Sequence, residues 1–459
     1  MSNFNWGILG PGGIAKAFAT DLQLLDGHTV GAVGSRTLSN AQEFVKAFGG
    51  NAYGSYGELV ADPNIDAIYV ATPHPAHKDN VIAALNAGKP VLCEKPFAVT
   101  AKEAQEMVAA AQRNNVALME AMWARFLPHY AQVREIIASG ILGPGGIARA
   151  FATDLQLLDG HTVGAVGSRT LSNAQEFAKT FGGHAYGSYG ELVADPKIDA
   201  IYVATPHPAH KDNVIAALNA GKPVLCEKPF AVNAEEAQEM VAAAQKNNVA
   251  LMEAMWARFL PHYAQVREII ASGVLGKILT VQADHGQRLA DQNIPRLVDP
   301  SLAGGALLDL GIYPVSFAHM VLGNPTKITA SGVLTERGVD AQTSMIFDYA
   351  DGAQAILNTT MIEQTPCRAV VAGVNGWLEI DRVFYSPTSM RVTLFDGSVT
   401  QYPHTYTGHG LREQAEAFKK LVVSGKTQSE ILSWKDTVDI MQTLDTVRAQ
   451  IGLRYPFEN

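Results

Sequence analysis

The stretch FNWGILGPGGIA, from Phe4 to Ala15, decides the fold class of this 459-residue chain. A short apolar segment, typical of a buried strand, runs into a glycine-rich loop and then into a helical pattern that continues to Leu25. In the spacing G-x-G-x-x-A, the first glycine permits a tight turn and the second lets the main chain approach a pyrophosphate. The small last residue packs the helix against the sheet. The stretch therefore predicts a Rossmann fold that binds a dinucleotide at a helix N-terminus.

The glycine-rich loop returns in the stretch IIASGILGPGGIARAF, from Ile136 to Phe151, because most of the chain is a tandem repeat. Residues 8–140 and 141–273 align without gaps and differ at eight positions. A repeat unit this long is a whole domain. We therefore predict a Rossmann domain at 1–140 (copy one), a second at 141–273 with a truncated first strand (copy two), and a different domain at 274–459. The shared segment S-G-(V/I)-L-G at 139–143 and 272–276 favours a recent recombination, natural or engineered, over an ancient duplication.

The composition excludes several classes of function. Net charge is −9, and no Lys/Arg-rich run is present, so neither nucleic acid nor a membrane surface is an expected partner. Three cysteines without a CxxC pair fit a reducing compartment. The N-terminus does not resemble a signal peptide, and no apolar stretch is judged long enough to span a membrane. We expect a cytoplasmic protein that acts on a small molecule.

The loops after the parallel strands indicate the cofactor. Strand two ends in Gly34-Ser35-Arg36, where an NAD enzyme usually has an acidic residue; a hydroxyl and a guanidinium instead suit the 2′-phosphate of NADP. His74 and His77 lie among prolines and have no third ligand of suitable spacing, so no metal is expected. The candidate cofactor-binding residues are Gly10, Gly12, Gly13, Ile14, Ser35, Arg36, Thr72, Pro73, His77 and Glu94 in copy one, and Gly143, Gly145, Gly146, Ile147, Ser168, Arg169, Thr205, Pro206, His210 and Glu227 in copy two.

Beyond residue 273, clustered strands with few helices predict an α+β domain with an open, mostly antiparallel sheet. Within it, the segment GGALLDLGIYP (304–314) places Asp309 and Tyr313 four residues apart, on one helix face. A tyrosine beside the lysine of a CEKPF segment (Lys95 or Lys228) is a plausible general acid/base, whose pKa the ammonium group would lower. A structural aspartate and a core tyrosine are the alternative.

Taken together, the segments GILGPGGIA, CEKPF, MEAMWARFLP, GGALLDLGIYP and VRAQIGLRYP resemble the glucose–fructose oxidoreductase/inositol dehydrogenase (Gfo/Idh/MocA) family. The likeness is strongest to its branch of dimeric dihydrodiol dehydrogenases and NADP-dependent D-xylose dehydrogenases. It covers the chain once one repeat copy is removed. The resemblance implies an NADP-binding Rossmann domain and a dimer formed through the open sheet.

The resemblance also implies site residues. Lys95 or Lys228 would form the catalytic pair with Tyr313, and Asp309 would position the substrate or Tyr313. The substrate pocket would be lined by Trp123 or Trp256 and by Arg125 or Arg258. Many family members have histidine where this chain has Tyr313, so the cyclitol chemistry assigned to that histidine does not transfer.

These observations predict an NADP-dependent oxidoreductase acting on a sugar, polyol or vicinal diol; an NADP(H) sensor or scaffold without turnover is the alternative. A single Tyr313 serves two candidate clefts. Continuity of residue 273 into 274 favours copy two as its partner, whereas the intact first strand favours copy one. With copy two as the partner, Ile137 to Gly140 would serve it as a substitute strand. We predict that copy two is the catalytic partner.

Overall fold

The computed structural model describes residues 4–122, 137–292 and 294–458. The chain divides into two compact units, Met1–Gln132 (unit 1) and Val133–Asn459 (unit 2). Unit 1 contains the sheet of copy one, and unit 2 contains the sheet of copy two together with a C-terminal sheet.

Unit 1 is built on a six-stranded parallel sheet in the order β3-β2-β1-β4-β5-β6. Its strands are β1 (Phe4–Leu9), β2 (His28–Gly34), β3 (Asn51–Tyr53), β4 (Ala67–Val70), β5 (Val91–Glu94) and β6 (Leu118–Ala121). Its helices are α1 (Gly13–Leu22), α2 (Leu38–Phe48), α3 (Tyr56–Val60), α4 (His77–Asn86) and α5 (Ala101–Asn114). Ile8 and Leu9 are fully buried, as expected for a central strand covered on both faces. The strand order reverses between β1 and β4, where a doubly wound sheet opens a ligand crevice.

Copy two repeats this sheet within unit 2, in the order β9-β8-β7-β10-β11-β12. Its strands are β7 (Ile137–Leu142), β8 (His161–Gly167), β9 (His184–Tyr186), β10 (Ala200–Val203), β11 (Val224–Glu227) and β12 (Leu251–Ala254). Its helices are α6 (Gly146–Leu155), α7 (Leu171–Phe181), α8 (Tyr189–Val193), α9 (His210–Asn219), α10 (Ala234–Asn247) and α11 (Pro261–Ala271).

The first strand of copy two is complete and not truncated, because Ile137 to Gly140 form its start, which confirms the substitute strand that the sequence suggested. β7 has six residues, as β1 does. Its residues pair with β8 on one side and β10 on the other; Ser139, for example, lies opposite both Val163 and Ala200. A central strand satisfies its main-chain groups on both sides, which explains why residues 137–140 are drawn into the sheet.

The C-terminal domain has an eight-stranded open sheet in the order β14-β15-β16-β13-β17-β18-β19-β20. All neighbouring strands are antiparallel except β13 and β16, which confirms the expected α+β architecture. The strands are β13 (Ile278–Gly286), β14 (Lys327–Leu334), β15 (Asp340–Asp348), β16 (Gln354–Thr360), β17 (Ala369–Gly373), β18 (Gly376–Ile380), β19 (Met390–Leu394) and β20 (Val399–Tyr402). The sequence did not predict β18 and β20, which are short.

The helices of this domain are α12 (Pro295–Val298), α13 (Ile312–Leu322), α14 (Arg412–Val423) and α15 (Trp434–Ile451), and a π-helical turn (Leu307–Gly311) precedes α13. The segment Pro300–Leu322 is apolar and long enough to cross a membrane, contrary to the sequence expectation. Its most apolar window is 83% buried inside the protein, so it forms the core helix of unit 2.

Helix α15 covers the outer edge of copy two. The Trp434 indole donates a hydrogen bond to the carbonyl oxygen of Leu251 in β12 (2.8 Å), and the Thr437 hydroxyl donates to the Glu253 carboxylate (2.8 Å). The Arg448 guanidinium donates to the carbonyl oxygen of Val232 (2.9 Å). Edge-strand and loop groups of copy two thereby gain partners from the C-terminal domain.

Asp154, in α6, fastens a C-terminal loop to copy two. Its carboxylate is 1% exposed and accepts hydrogen bonds from the main-chain N–H groups of His409 (3.1 Å), Gly410 (2.9 Å) and Leu411 (2.8 Å). Burial opposes ionisation, but the hydrogen bonds from His409 and Leu411 hold the pKa of Asp154 below its ordinary value. Its counterpart in copy one, Asp21, is exposed.

We expect Asp154→Ala to lower the free energy of unfolding of unit 2 by about 3 kcal/mol, because three main-chain donors, two of them buried, lose a charged acceptor. The matched variant Asp21→Ala changes a solvent-exposed carboxylate with the same sequence neighbours and is expected to change stability by less than about 0.5 kcal/mol. Urea denaturation followed by tryptophan fluorescence measures both. Equal effects of the two substitutions would contradict this role for Asp154.

Candidate active site

Unit 2 contains a cavity of about 970 Å³ between the carboxyl ends of the copy-two strands and the C-terminal sheet. Loops after β7, β8, β10 and β11 form one wall, as expected where strand order reverses. The cavity brings together the following sequence-predicted residues: Gly143, Gly145, Gly146, Ile147, Ser168, Arg169, Thr205, Pro206, His210, Glu227, Lys228, Trp256, Asp309 and Tyr313.

The glycine-rich loop forms one end of the cavity. Gly143 has φ +93°, and a Cβ there would lie 2.9 Å from the carbonyl oxygen of Ala204, so only glycine fits the turn. Gly145 precedes the first turn of α6, and a Cβ on it would meet nothing within 4 Å. Free main-chain N–H groups at a helix N-terminus beside open space suit a pyrophosphate.

The loop after β8 supplies groups for the ribose end of the cofactor. Ser168 is 5% exposed, and its hydroxyl accepts a hydrogen bond from the main-chain N–H of Thr170 (3.2 Å). Arg169 is exposed at the cavity wall, and Arg149 from α6 lines the same wall while pairing with Glu176 (3.2 Å). A hydroxyl and two guanidinium groups fit a 2′-phosphate and therefore NADP.

A cluster of charges occupies the other end of the cavity. The Lys228 ammonium donates to the carbonyl oxygen (2.8 Å) and to the Oδ1 (3.2 Å) of Asp309. The Arg296 guanidinium donates to the same Oδ1 at 2.7 Å. Burial opposes ionisation of Asp309, but Lys228 and Arg296 hold its pKa well below the ordinary value. Asp309 is thus an ionised carboxylate held between two cations.

The π-helical turn Leu307–Gly311 carries Asp309 and leads into α13 and Tyr313. Buried Asp340 secures the start of the turn, because its Oδ2 accepts a hydrogen bond from the Leu307 main-chain N–H (2.8 Å). Gly305 makes room for this contact: its φ is +125°, and a Cβ would lie 2.1 Å from Asp340 Oδ1. π-turns of this kind are frequent at functional sites.

Tyr313 lies against the cation but does not bond to it. Its hydroxyl accepts a hydrogen bond from the Trp256 indole (2.8 Å), and the Lys228 Nζ lies 4.9 Å from the centre of its ring. Burial raises the pKa of Tyr313 above its ordinary value, so the expected lowering by lysine is wrong for this structure. The ammonium group faces the ring and Asp309 instead of the phenol oxygen. Tyr313 therefore holds its proton within the cavity.

The structure adds cavity residues that the sequence did not indicate. The Tyr385 ring lies 4.5 Å from the Tyr313 ring and stacks on His285 at 4.1 Å, and the Gln287 amide donates to the Tyr385 hydroxyl (2.8 Å). These residues and Arg296 come from segments far apart in sequence and outside every motif. His207, in the loop Thr205-Pro206-His207-Pro208, also lines the cavity, and burial lowers its pKa to about 3. Its position after β10 was a signal that could have revealed it.

Other predicted residues have different roles. Arg258 does not line the cavity; it is 5% exposed and its guanidinium donates to the Ser316 hydroxyl (3.0 Å). The ring nitrogens of His210 lie 2.8 Å and 3.0 Å from the carbonyl oxygens of Thr205 and Pro229, so His210 bridges two cavity loops. Burial raises the pKa of Glu227, which accepts a hydrogen bond from Tyr202, to about 7. Trp123 and Arg125 lie outside the described residues.

Copy one repeats the cofactor geometry but not the charge cluster. Gly10 has φ +93°, and a Cβ there would lie 2.9 Å from the carbonyl oxygen of Ala71. Ser35 is 5% exposed, as Ser168 is. The Nε2 of His77 lies 2.8 Å from the carbonyl oxygen of Thr72. Lys95 is exposed, and among residues 4–122 its ammonium group makes no hydrogen bond or ion pair.

Comparison with known proteins agrees with this architecture. A model described as "Oxidoreductase family, NAD-binding Rossmann fold" matches twice, at residues 4–122 and 137–255, and the Gfo/Idh/MocA C-terminal domain matches residues 263–379. The trans-1,2-dihydrobenzene-1,2-diol dehydrogenase of Xenopus laevis is 39% identical over 327 residues, which cover 69% of this chain and 98% of the relative. The human enzyme of the same name is 36% identical over 330 residues, which cover 69% of this chain and 97% of the relative.

Two solved structures share the fold. A 3-ketoreductase from Actinomadura kijaniata, in complex with NADP and TDP-benzene, has a TM-score of 0.63 at 27% identity and covers 69% of this chain and 98% of its own. An aldose-aldose oxidoreductase from Caulobacter crescentus, complexed with glycerol, has a TM-score of 0.63 at 26% identity, with coverage of 69% and 97%. In each comparison the shared length equals about one Rossmann copy plus the C-terminal domain. The chain belongs to the Gfo/Idh/MocA family of oxidoreductases, it carries the family's Rossmann domain twice, and it is an NADP-dependent dehydrogenase.

Proposed function

We propose that unit 2 transfers hydride between NADP and a CH–OH or C=O group of a sugar, polyol or vicinal diol. The observation that carries the proposal is the cluster of Lys228, Asp309 and Tyr313 inside the cavity that also contains the glycine-rich loop. The names of the relatives point to the same chemistry: a dihydrodiol, a keto group and an aldose. When bound, NADP supplies the hydride acceptor or donor at its nicotinamide ring.

The side chains provide proton transfer and orientation. Tyr313 donates its proton to a carbonyl oxygen in reduction, which leaves a phenolate; in oxidation the phenolate accepts the proton of the substrate hydroxyl. The hydrogen bond from the Trp256 indole to the phenol oxygen stabilises the phenolate that reduction leaves behind. Asp309 fixes the Lys228 ammonium in place. The walls formed by Tyr385 and Trp256 orient a substrate ring and exclude water.

The alternative function is an NADP(H) sensor or scaffold that does not turn over. A sensor or scaffold would not require the contacts among Lys228, Asp309 and Tyr313. Hydride transfer by the purified protein, followed by NADPH absorbance in a screen of sugars and diols, distinguishes the two functions.

We expect Lys228→Met to lower kcat/KM roughly a thousandfold, because Tyr313 and Asp309 lose their cation. The matched variant Lys95→Met, in copy one, should retain activity within about twofold. Steady-state kinetics with the best substrate of the screen measures both. The reverse pattern would show that copy one is the catalytic partner of Tyr313.

We expect Arg296→Gln to lower kcat/KM by about tenfold to a hundredfold. Asp309 would lose one of its two charge-assisted hydrogen bonds and would then hold the Lys228 ammonium less firmly in position. Arg288→Gln is the control, since Arg288 is 73% exposed and pairs with Asp291 at the surface. An unchanged kcat/KM in Arg296→Gln would show that Arg296 does not contribute to catalysis.

Copy one holds a second NADP in this proposal, supported by the shared geometry of Gly10 and Gly143. Titration of the chain with NADPH, followed by its fluorescence, should give two molecules per chain. Arg36→Glu and Arg169→Glu should each remove one of them, and only Arg169→Glu should abolish activity. A single site that Arg169→Glu eliminates would contradict binding by copy one.

The remaining proposals concern the context of the enzyme. A homodimer formed through the outer face of the C-terminal sheet is supported by Leu279, Val333, Ile346 and Ile356, which are 42%, 61%, 43% and 46% exposed there. Three buried, unpaired cysteines suit the cytoplasm. Near-identical copies joined through S-G-(V/I)-L-G support an origin by recombination, natural or engineered.

A further inference from the structure

A row of three polar side chains runs along the wall that the C-terminal domain gives to the cavity of unit 2. The Nδ1 of His285, in β13, lies 3.0 Å from the carbonyl oxygen of Leu310 in the π-helical turn. The His285 Nε2 lies 2.9 Å from the Gln287 amide nitrogen, which also donates to the Tyr385 hydroxyl oxygen at 2.8 Å. We call His285, Gln287 and Tyr385 the polar row; all three line the cavity.

The carbonyl oxygen of Leu310 fixes the direction of every hydrogen bond in the polar row. A carbonyl oxygen can only accept, so the Nδ1 of His285 carries a proton. His285 is 1% exposed, and burial lowers its pKa to about 3, so the ring is neutral and its Nε2 is an acceptor. The Gln287 atom that faces Nε2 must therefore be the amide nitrogen, with one N–H directed at His285 and the other at Tyr385.

The Tyr385 oxygen is thus an acceptor toward Gln287, and its own proton is available for a different partner. Among the described residues of unit 2, no acceptor lies within hydrogen-bond distance of this hydroxyl. Tyr313 has the same arrangement, because its oxygen accepts the Trp256 indole N–H at 2.8 Å. The two phenol rings lie 4.5 Å apart, with an angle of 31° between their planes. The cavity therefore presents two neighbouring O–H donors.

The Tyr385 ring is held in place by its surroundings. It stacks on His285, with the ring centres 4.1 Å apart. The main-chain N–H of Phe384 donates to the carbonyl oxygen of Cys367 (3.0 Å), and the His262 Nε2 lies 3.1 Å from the carbonyl oxygen of Phe384. Burial raises the pKa of Tyr385, so its hydroxyl keeps its proton. A fixed, protonated hydroxyl is suited to binding an oxygen of the substrate.

We propose that Tyr385 binds the substrate oxygen on the carbon next to the reacting carbon, and that Gln287 is the positioning residue that turns the Tyr385 proton toward it. The inference rests on the proposed function, in which Tyr313 exchanges a proton with the reacting oxygen. Two oxygens on neighbouring carbons can meet both phenol donors at once. An alcohol with a single oxygen leaves the Tyr385 hydroxyl unpaired, so Tyr385 selects for the second oxygen.

Kinetics with a matched pair of substrates tests the role of Tyr385. The pair is the best diol of the screen and the alcohol that lacks only its non-reacting hydroxyl, such as vicinal cyclohexanediol and cyclohexanol. We expect the wild-type chain to favour the diol in kcat/KM by about tenfold to a hundredfold. Tyr385→Phe should lose most of this preference through a higher KM for the diol with kcat nearly unchanged, because a bond to a non-reacting oxygen is equally strong in the ground state and the transition state.

Two controls accompany Tyr385→Phe. Its activity toward the single alcohol should stay within about twofold of the wild-type value, since the hydroxyl has no partner on that substrate. Tyr349→Phe removes a buried phenol oxygen that does not line the cavity, and it should keep the full preference for the diol.

Gln287→Glu tests the direction of the polar row. The substitution keeps the size of the side chain but replaces its N–H donors by acceptor oxygens, so the Tyr385 proton would turn toward residue 287 and away from the substrate. We expect the same loss of preference for the diol as in Tyr385→Phe, whereas a role in packing alone would leave the preference unchanged. Gln292→Glu introduces the same charge at an exposed position and is the control.

Nitrogen NMR of the histidines tests the polar row without a substrate. We expect a neutral His285 with its proton on Nδ1, its signal being identified by its absence in His285→Asn. A proton on Nε2 would reverse the hydrogen bonds and overturn the inference. An unchanged preference in Tyr385→Phe, in a chain that oxidises both alcohols, would overturn the role of Tyr385 and leave the proposed function intact. A chain that oxidises no sugar or diol of the screen would overturn the proposed function as well.

Discussion

The ion pair between Lys228 and Asp309 is the contact on which the architecture of the cavity depends. It joins the strand end of copy two to the π-helical turn of the C-terminal domain, and its side chains are 12% and 9% exposed. A buried ion pair is stable only where further hydrogen bonds satisfy both groups, and the carbonyl oxygen of Asp309 and the Arg296 guanidinium provide them. This arrangement holds the Lys228 ammonium over the Tyr313 ring and closes one end of the cavity.

The two Rossmann copies show how far environment controls the properties of a sequence. Asp21 and Asp154 have almost the same neighbours in sequence, yet only Asp154 is buried and bonded to a C-terminal loop. The same holds for Val99 and Val232, whose exposed fractions are 56% and 0%. The chain has one C-terminal domain, and this domain packs against copy two within unit 2, so the two copies have different environments. Unit 2 therefore contains a cavity in which the copy-two loops and the C-terminal domain meet.

The junction between the copies is the clearest case in which tertiary context overrides local sequence. The tetrapeptide Ile-Ala-Ser-Gly forms the start of strand β7 at 137–140, whereas at 270–273 it ends helix α11 and forms the turn after it. Copy two needs a central strand between β8 and β10, and the main-chain hydrogen bonds on both sides outweigh the helical preference of these residues. A window of a few residues could not reveal this outcome.

The sequence by itself determined the Rossmann fold and the duplication, and it singled out Asp309, Tyr313 and the lysine of the CEKPF segment, because each depends on residue types at short, fixed spacings. The tertiary structure decided that this lysine is Lys228, because the two CEKPF segments are identical and only one of them meets Asp309. It also indicated the open sheet through alternating strands, although it did not reveal β18 and β20. Only the tertiary structure decided that Arg296, His285 and Tyr385 reach the cavity, that Arg258 does not, and that Tyr313 retains its proton. These results depend on which distant segments meet and on how much water their packing excludes, and no local pattern in the chain specifies either.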